Sequence, residues 1–315
     1  ITSGEMKLVA ENPGNIMGWV TDHLGKIRIA TTTDGVNSSL LYRDNEDQPF
    51  KTILTTTFKE TLNPLFFTFD NQNIYALSNL GRDKTAVVEF DLAAAKESKV
   101  IFEHPEVDVS TMSYSHKRKV LTAISWTTWK REYKILDPQF EAIYNTLKEK
   151  LPGTDLALTS TNLDETVLIV VAYSDRNPSK IYLYETNGDK LTELGNPYPW
   201  LDENKLCEMK PIQYESRDGL TIHGYLTLPL GREAKNLPVI INPHGGPWYR
   251  DSWGYNPEVQ FLANRGYAVL QMNFRGSTGY GRKFWEASFK QWGKTMQDDI
   301  SDGVKWLIGQ GIADP

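Results

Sequence analysis

Two adjacent glycines occupy the stretch of this sequence that is best suited to chemistry. Gly245 and Gly246 lie in the run Asn-Pro-His-Gly-Gly-Pro at 242–247, directly after the apolar residues Val239–Ile241, and Trp248 follows closely enough to line a pocket. Because glycine has no Cβ atom, such a turn leaves backbone N–H groups unshielded and lets them approach a ligand closely. An N–H group in this position can donate a hydrogen bond to the oxyanion that forms in acyl transfer. The same residues also fit a plain turn at the exit of a strand, and both interpretations stay open.

His244 and a group of aspartates are the other candidates for chemistry. An imidazole beside two glycines could act as a general base, but in a strand-exit loop it more often fixes the turn, and we favour that role. Asp298, Asp299 and Asp302 fall early in a predicted helix, where carboxylates complement the dipole or cap neighbouring loops more often than they bind metal. The other histidines are dispersed and Cys207 is the only cysteine, so no metal-ligand spacing is present. We expect no metal and no cofactor.

No serine in the sequence has the surroundings of a hydrolase nucleophile. The nucleophile elbow requires G-x-S-x-G, and Ser277 has Arg275 where the first glycine should stand. The motif does not occur anywhere in the sequence. If the glycine turn binds an oxyanion, the candidate oxyanion and substrate-binding residues are Gly246, Gly245 and Trp248, and the chain supplies no catalytic residue beside them.

The elements before the turn repeat with a period near 45 residues. Four apolar strands begin at equivalent points, and each is followed by a second strand about thirteen residues later; their leading residues are Ile27, Ile74, Val120 and Val167. The spacings of 47, 46 and 47 residues are typical of β-propeller blades, small sheets that bury their faces against their neighbours. The alternative is a β-sandwich with accidental spacing. We favour about four blades and expect further blades to precede Ile1.

The pattern changes after the fourth repeat. A hairpin is predicted at 211–229, around a turn of Arg, Asp and Gly, and strands then alternate with helices. The helices are expected from Asn256 to Gly266 and from about Thr295 to Ile308. Alternating strands and helices imply a parallel sheet. We therefore divide the chain into propeller blades at 1–207 and an α/β part at 208–315.

Composition and charge exclude several classes of function. The chain has 315 residues, of which 40% are apolar and 23% charged, so it is neither disordered nor fibrous. A net charge of −6 leaves no basic stripe for nucleic acid. The longest apolar run, Val167–Tyr173, is far shorter than the roughly 20 residues that a membrane span needs. We expect neither a nucleic-acid nor a membrane partner. Because Ile1 is not a methionine, the natural N-terminus is expected upstream; the cytoplasm is favoured, and a periplasmic or secreted location stays open.

Five short segments follow one another in the last third of the chain. They are Ser-Arg-Asp-Gly-Leu-Thr-Ile at 216–222, His-Gly-Gly-Pro at 244–247, Arg-Gly-Tyr-Ala-Val at 265–269, Asn-Phe-Arg-Gly-Ser-Thr-Gly-Tyr-Gly at 273–281, and Trp-Gly at 292–293 with Asp-Asp-Ile at 298–300. In this order they resemble the prolyl oligopeptidase family of serine peptidases, specifically its acylaminoacyl-peptidase-like branch. The resemblance implies an α/β-hydrolase domain capped by a propeller that restricts entry to short peptides. It also implies that the N–H of Gly246 helps to form the oxyanion hole.

The resemblance predicts part of a serine peptidase that hydrolyses short or N-acylated peptides. In that family the Ser, Asp and His of the triad come later in the chain, so we expect them downstream of Pro315 and expect this chain alone to be inactive. The alternative is a non-catalytic propeller that binds or senses a ligand and retains a hydrolase remnant. The expected partner is a short peptide substrate, and a homo-oligomer stays open.

Overall fold

The computed structural model describes residues 4–315. They fall into two compact units, one that ends at Thr111 and one that comprises Met112–Pro315. Both units consist mainly of short β-strands. No helix within residues 4–315 is long and apolar enough to cross a membrane. The division at 207 and 208 stays a prediction.

The first unit contains two antiparallel sheets in which consecutive strands are neighbours. The first sheet consists of β1 (Ile16–Thr21), β2 (Ile27–Thr33), β3 (Asn37–Tyr42) and β4 (Lys51–Thr57), and the second of β5 (Leu62–Phe67), β6 (Ile74–Ser78), β7 (Ala86–Asp91) and β8 (Lys96–Phe102). Apolar side chains of both sheets form one core, and its fully buried members are Ile29, Phe67, Ile74, Ala76, Ala86, Val88 and Phe90. Each sheet therefore buries a face against its neighbour, as propeller blades do.

The turn before β2 is stabilised by an aspartate and a glycine. One carboxylate oxygen of Asp22 accepts hydrogen bonds from the amides of Leu24 and Lys26, at 2.9 and 3.0 Å. Gly25 completes the turn at φ +77°, a conformation that glycine adopts without strain. The amide of His23 donates to the side chain of Asn71 in the second sheet at 3.0 Å. Turn residues thus link the two sheets.

Two further sheets follow along the chain. The third contains β9 (Val109–Ser115), β10 (Val120–Thr127) and β11 (Arg131–Ile135), and the fourth contains β12 (Asp155–Thr161), β13 (Val167–Tyr173), β14 (Lys180–Glu185) and β15 (Lys190–Gly195). The second strands of the four sheets begin at Ile27, Ile74, Val120 and Val167, the four residues that the repeat singles out. The prediction of propeller blades is confirmed.

A helix that the repeat does not predict, α1 (Pro138–Lys150), follows the third sheet where a fourth strand would be due. Asp137 caps it by accepting the amide of Phe140 at 2.9 Å. The guanidinium of Arg118 holds both oxygens of that carboxylate, at 2.7 and 2.6 Å. On the other side of the helix, Leu147 is fully buried in the core of the fourth sheet.

The α/β part contains a mixed sheet, in which the strands of the predicted hairpin join the expected parallel pair. Its strands are β16 (Met209–Glu215), β17 (Thr221–Thr227), β18 (Val239–Ile241) and β19 (Ala268–Asn273), in the order β16-β17-β19-β18. Only β18 and β19 are parallel. The other pairs are antiparallel because β17 arrives as the second strand of the predicted hairpin and then pairs directly with β19.

The helices of this part cover both faces of the mixed sheet. They are α2 (Pro257–Asn264), α3 (Arg282–Glu286) and α4 (Thr295–Gly309), and a 3-10 turn lies at Glu203–Lys205. Leu307 of α4 packs with Leu270 on one face of β19, and Val259 of α2 packs with Val269 on the other. All six residues of β19 are buried for this reason. The predictions of α2 and α4 are confirmed.

Candidate functional site

The two glycines lie where β18 leaves the sheet. The amide of Asn242 still donates to the carbonyl of Leu270, at 2.9 Å, and the chain then turns away from its parallel neighbour. Gly246 has φ +127°, and a Cβ atom there would lie 2.9 Å from the amide nitrogen of Trp248. Glycine is therefore required at this position, whereas a Cβ on Gly245 would meet open space.

The amides of Gly245 and Gly246 are available to a ligand. Both residues are exposed, and within residues 4–315 neither N–H donates to a protein acceptor. They lie at the carboxyl end of a parallel strand, the edge at which open α/β sheets bind ligands. Two unpaired donors on a rigid strand exit can hold an anionic oxygen.

His244 fastens the turn to the loop after β19. Its ring stacks on Phe274 with centroids 4.5 Å apart. Its Nε2 atom lies 2.8 Å from the Oγ atom of Ser277, and its Nδ1 atom lies 2.8 Å from the carbonyl oxygen of Gly245. The Ser277 hydroxyl also donates to the carbonyl of Phe274, at 2.7 Å, and Ser277 is fully buried. A buried serine cannot reach a substrate, so this pair supports the turn-fixing role of His244.

Trp248 and two other rings form a group beside the glycines, which we call the aromatic wall. Trp248 is 49% exposed, and its centroid lies 5.3 Å from that of Trp285 and 5.9 Å from that of Phe289. Its indole N–H donates to Ser288 at 3.1 Å. Gly276 permits this contact, because a Cβ there would lie 2.6 Å from the Cβ of Ser288. The wall presents a fixed apolar surface next to the free amides.

Sequence reasoning missed an ionic network that anchors the loop after β19. The Nε and Nη2 atoms of Arg275 donate to Asp299 at 2.8 and 2.7 Å, and its Nη atoms donate to Asp218 at 2.8 and 2.9 Å. Asp299 is fully buried on α4 and also accepts the hydroxyl of Ser216 at 2.7 Å. The Arg275 guanidinium lowers the pKa of Asp218 below its usual range. These contacts join the β16–β17 hairpin and α4 to the loop after β19, and they hold that loop in position.

A second arginine binds the next carboxylate of α4. Arg217 donates to Asp302 through its backbone amide at 2.9 Å, and through Nε and Nη2 at 2.9 and 2.8 Å. These hydrogen bonds hold the pKa of Asp302 well below its usual range. Asp298 pairs with Arg217 as well, at 2.7 Å. The three aspartates thus bind loop residues, the role that their early position in the helix favours.

The hairpin between β10 and β11 also contacts the loop that follows the glycines. Arg250 donates to the carbonyl of Thr128 and to the hydroxyl of Tyr280, both at 3.0 Å. Tyr225 of β17 donates to the carbonyl of Trp129 at 2.7 Å. A Cβ on Gly279 would lie 2.6 Å from Arg250, so this glycine leaves room for the guanidinium. The third blade is therefore fixed to the α/β part close to the candidate site.

Asp251 lies buried behind the same loop. Its amide donates to the side chain of Asn273 at 2.8 Å, and the Asn273 amide group returns a bond to the Asp251 carbonyl at 3.1 Å. Burial raises the pKa of the Asp251 carboxyl above its usual range. This pairing joins the loop to the end of β19, the strand beside the glycine turn.

The chain combines β-propeller blades with an α/β sheet, and two exposed amides lie where β18 leaves that sheet. Comparison with known proteins shows which peptidases share this arrangement. The model of the prolyl oligopeptidase family matches residues 253–315. Dipeptidyl aminopeptidase BIII of Pseudoxanthomonas mexicana is 33% identical over 99% of this chain and 46% of its own length. Dipeptidyl peptidase family member 6 of Caenorhabditis elegans is 26% identical over 98% of this chain and 46% of its own length. Residues 253–315 thus match the prolyl oligopeptidase family, and the chain as a whole is similar to about half of each of these two peptidases.

A solved structure supports the fold. A puromycin-hydrolyzing peptidase of Mycobacterium tuberculosis superimposes with a TM-score of 0.76 at 19% identity, over 98% of this chain and 50% of its own. The chain spans about half the length of the curated relatives it matches. The acylaminoacyl-peptidase-like branch stays a prediction, because both relatives named above are dipeptidyl peptidases.

Proposed function

We propose that this chain supplies propeller blades and the N-terminal part of the hydrolase domain of a serine peptidase that cleaves short or N-acylated peptides. The observation that carries the proposal is the pair of unpaired, exposed amides of Gly245 and Gly246 at the carboxyl end of β18. The match of residues 253–315 to the prolyl oligopeptidase family and the peptidase names of the relatives support it.

In this proposal the amide of Gly246 donates to the oxyanion of the tetrahedral intermediate. Attack on a peptide carbonyl moves charge onto its oxygen, and preorganised N–H donors at about 2.7–3.1 Å stabilise that charge. Gly246 is the favoured donor because its conformation is locked by Trp248 and Tyr249, whose atoms leave no room for a side chain. The aromatic wall lies beside this donor and would hold an apolar side chain of the substrate.

The nucleophile and its base would come from a different part of the polypeptide. The chain contains no G-x-S-x-G motif, and the serine near the turn, Ser277, is buried. In α/β-hydrolases the triad follows in the order Ser, Asp, His. We therefore assign those three residues to polypeptide downstream of Pro315.

The propeller would restrict access to short peptides. The hairpin of the third blade already contacts the loop after the glycines through Arg250, at 3.0 Å. A blade fixed to the loop that follows the glycines would exclude a folded protein and admit an extended peptide.

The test is a pair of glycine variants in a protein that carries this chain together with the triad. Gly246→Pro deletes the proposed donor and should lower kcat about 10²–10³-fold, the effect of losing one oxyanion donor. Gly246→Ala is the matched control, because it keeps the N–H and adds a Cβ beside Trp248 as proline does. Acyl-peptide, dipeptidyl and ester substrates should be compared, with circular dichroism as the check on folding. A folded Gly246→Pro variant with kcat within twofold of the unchanged protein would reduce the turn to a structural role.

A further inference from the structure

A cavity of about 290 Å³ lies in the second unit, between the third and fourth blades and the loop that follows the glycines. Its lining includes Trp129, Lys130, Arg131, Asp155, Ser252 and Trp253. At roughly 30 Å³ per water molecule, this volume holds about ten waters, enough for one peptide residue and its neighbour. The loop connects the cavity directly to the candidate site, since Ser252 follows Gly246 by six residues.

The charge of the cavity is unbalanced. The side chains of Lys130 and Arg131 form no ion pair with any carboxylate in the described part of the chain. The acidic residue of the lining, Asp155, lies 3.7 Å from the Nζ atom of Lys148 outside the cavity. Two cations therefore face the cavity without a carboxylate of their own.

Two tryptophan rings of the cavity hold one of these cations in place. The Nζ atom of Lys130 lies 3.5 Å from the ring centroid of Trp253 and 4.8 Å from that of Trp129. Contact with an aromatic face orients an ammonium group but leaves N–H donors free for an anion.

Both tryptophans are themselves fixed by hydrogen bonds. The indole N–H of Trp253 donates to the carbonyl of Met209 at 3.1 Å, and the carbonyl of Trp129 accepts the hydroxyl of Tyr225 at 2.7 Å. The two rings meet edge to face with centroids 6.4 Å apart. These contacts already order the residues that line the cavity, so they would lose little conformational entropy when a ligand binds.

We propose that this cavity binds a carboxylate of the peptide substrate, with Lys130 and Arg131 supplying the positive charge and the two tryptophans packing on the adjoining residue. The inference rests on the proposed function for the identity of the ligand as a peptide. A guanidinium and an ammonium match a carboxylate through charge-assisted hydrogen bonds. The carboxylate can be the C-terminus of a short peptide or the side chain of an acidic residue, and both share this chemistry.

The experiment measures binding of three peptides to the 315-residue chain by titration calorimetry. The peptides are acetyl-tetraalanine with a free carboxylate, the same peptide as its amide, and an acetylated, amidated peptide in which one alanine is glutamate. We expect at least one carboxylate peptide to bind about tenfold or more tightly than the uncharged amide, since hydrogen bonds to charged groups are the stronger ones. Preference for the free acid identifies the C-terminus, and preference for the glutamate peptide identifies the side chain.

Variants link that preference to the cavity. Lys130→Gln and Arg131→Gln should each lower the ratio of carboxylate-peptide affinity to amide-peptide affinity at least threefold. The charge-conserving Lys130→Arg should retain this ratio. Lys235→Gln, at an exposed lysine outside the cavity, is the matched control and should change nothing. Equal binding of the three peptides, absence of binding, or a preference that survives both glutamine variants would overturn the proposal.

Hydrolysis separates this inference from the proposed function. If a protein that carries this chain and the triad cleaves acids and amides with equal KM, the peptidase proposal stands and the carboxylate site falls. If it cleaves neither while this chain still prefers the carboxylate peptide, the peptidase proposal fails and the binding site stands.

Discussion

Asp299→Asn should destabilise the α/β part strongly although it changes only one atom of the side chain. Asp299 is fully buried and accepts hydrogen bonds from the backbone amide of Arg275 at 2.9 Å, from its guanidinium at 2.8 and 2.7 Å, and from Ser216 at 2.7 Å. The Arg275 side chain is only 7% exposed, so water cannot replace a lost partner. Without Asp299, its guanidinium keeps a single carboxylate partner, Asp218. Removing one partner of a buried ion pair costs about 3–5 kcal/mol. Because the asparagine still accepts some bonds, we expect a loss near the lower end, about 3 kcal/mol.

Asp218→Asn is the matched control for this prediction. Asp218 binds the same guanidinium with the same two-point geometry, at 2.8 and 2.9 Å, but its side chain is 46% exposed. Water screens such a pair, and its loss should cost no more than about 1 kcal/mol. Urea denaturation followed by circular dichroism at pH 7 gives both free energies of unfolding. If the two variants lose equal stability, or Asp299→Asn loses less than about 1 kcal/mol, burial is not what makes this network strong.

The blades could be predicted from the sequence because their signals are local and repeat. Each blade begins its second strand after a short polar turn, and the 47-residue spacing from Ile27 to Ile74 marks equivalent strands of neighbouring sheets. Helix α1 breaks the repeat and was not predicted. Its start does have a local signal, since Asp137 followed by Pro138 is a typical N-terminal cap. The repeat predicts a fourth strand at this position, so the N-terminal cap was not interpreted as the start of a helix.

The candidate site was predictable only in part for the same physical reason. The glycine turn stands out because two glycines after an apolar strand are a local pattern. The partners of Asp299 are not local: Ser216 is 83 residues away in sequence, and Arg275 is 24. Long-range pairing of this kind has no spacing rule, so a turn arginine and a helix aspartate each look like ordinary surface charges. The hairpin and the parallel pair were both predicted, but the pairing of β17 with β19 was not, because it joins strands that are distant in sequence.

Two further predictions concern activity and pH. We expect the 315-residue chain to hydrolyse neither acyl-peptide nor ester substrates, and stoichiometric labelling of a serine by a fluorophosphonate probe would contradict this. The second prediction concerns Asp302, whose pKa is lowered chiefly by the hydrogen bonds from Arg217. A carboxyl whose pKa is lower when folded adds stability above the pKa of the unfolded chain, about 3.9, and loses that contribution as the pH falls through the folded value. Asp302→Asn should therefore lower Tm at pH 7, and the difference from the unchanged chain should shrink steadily below about pH 4. Melting curves from pH 7 to pH 3 measure that difference, and a gap that stays constant over this range would show that Asp302 stabilises the fold by shape rather than by charge.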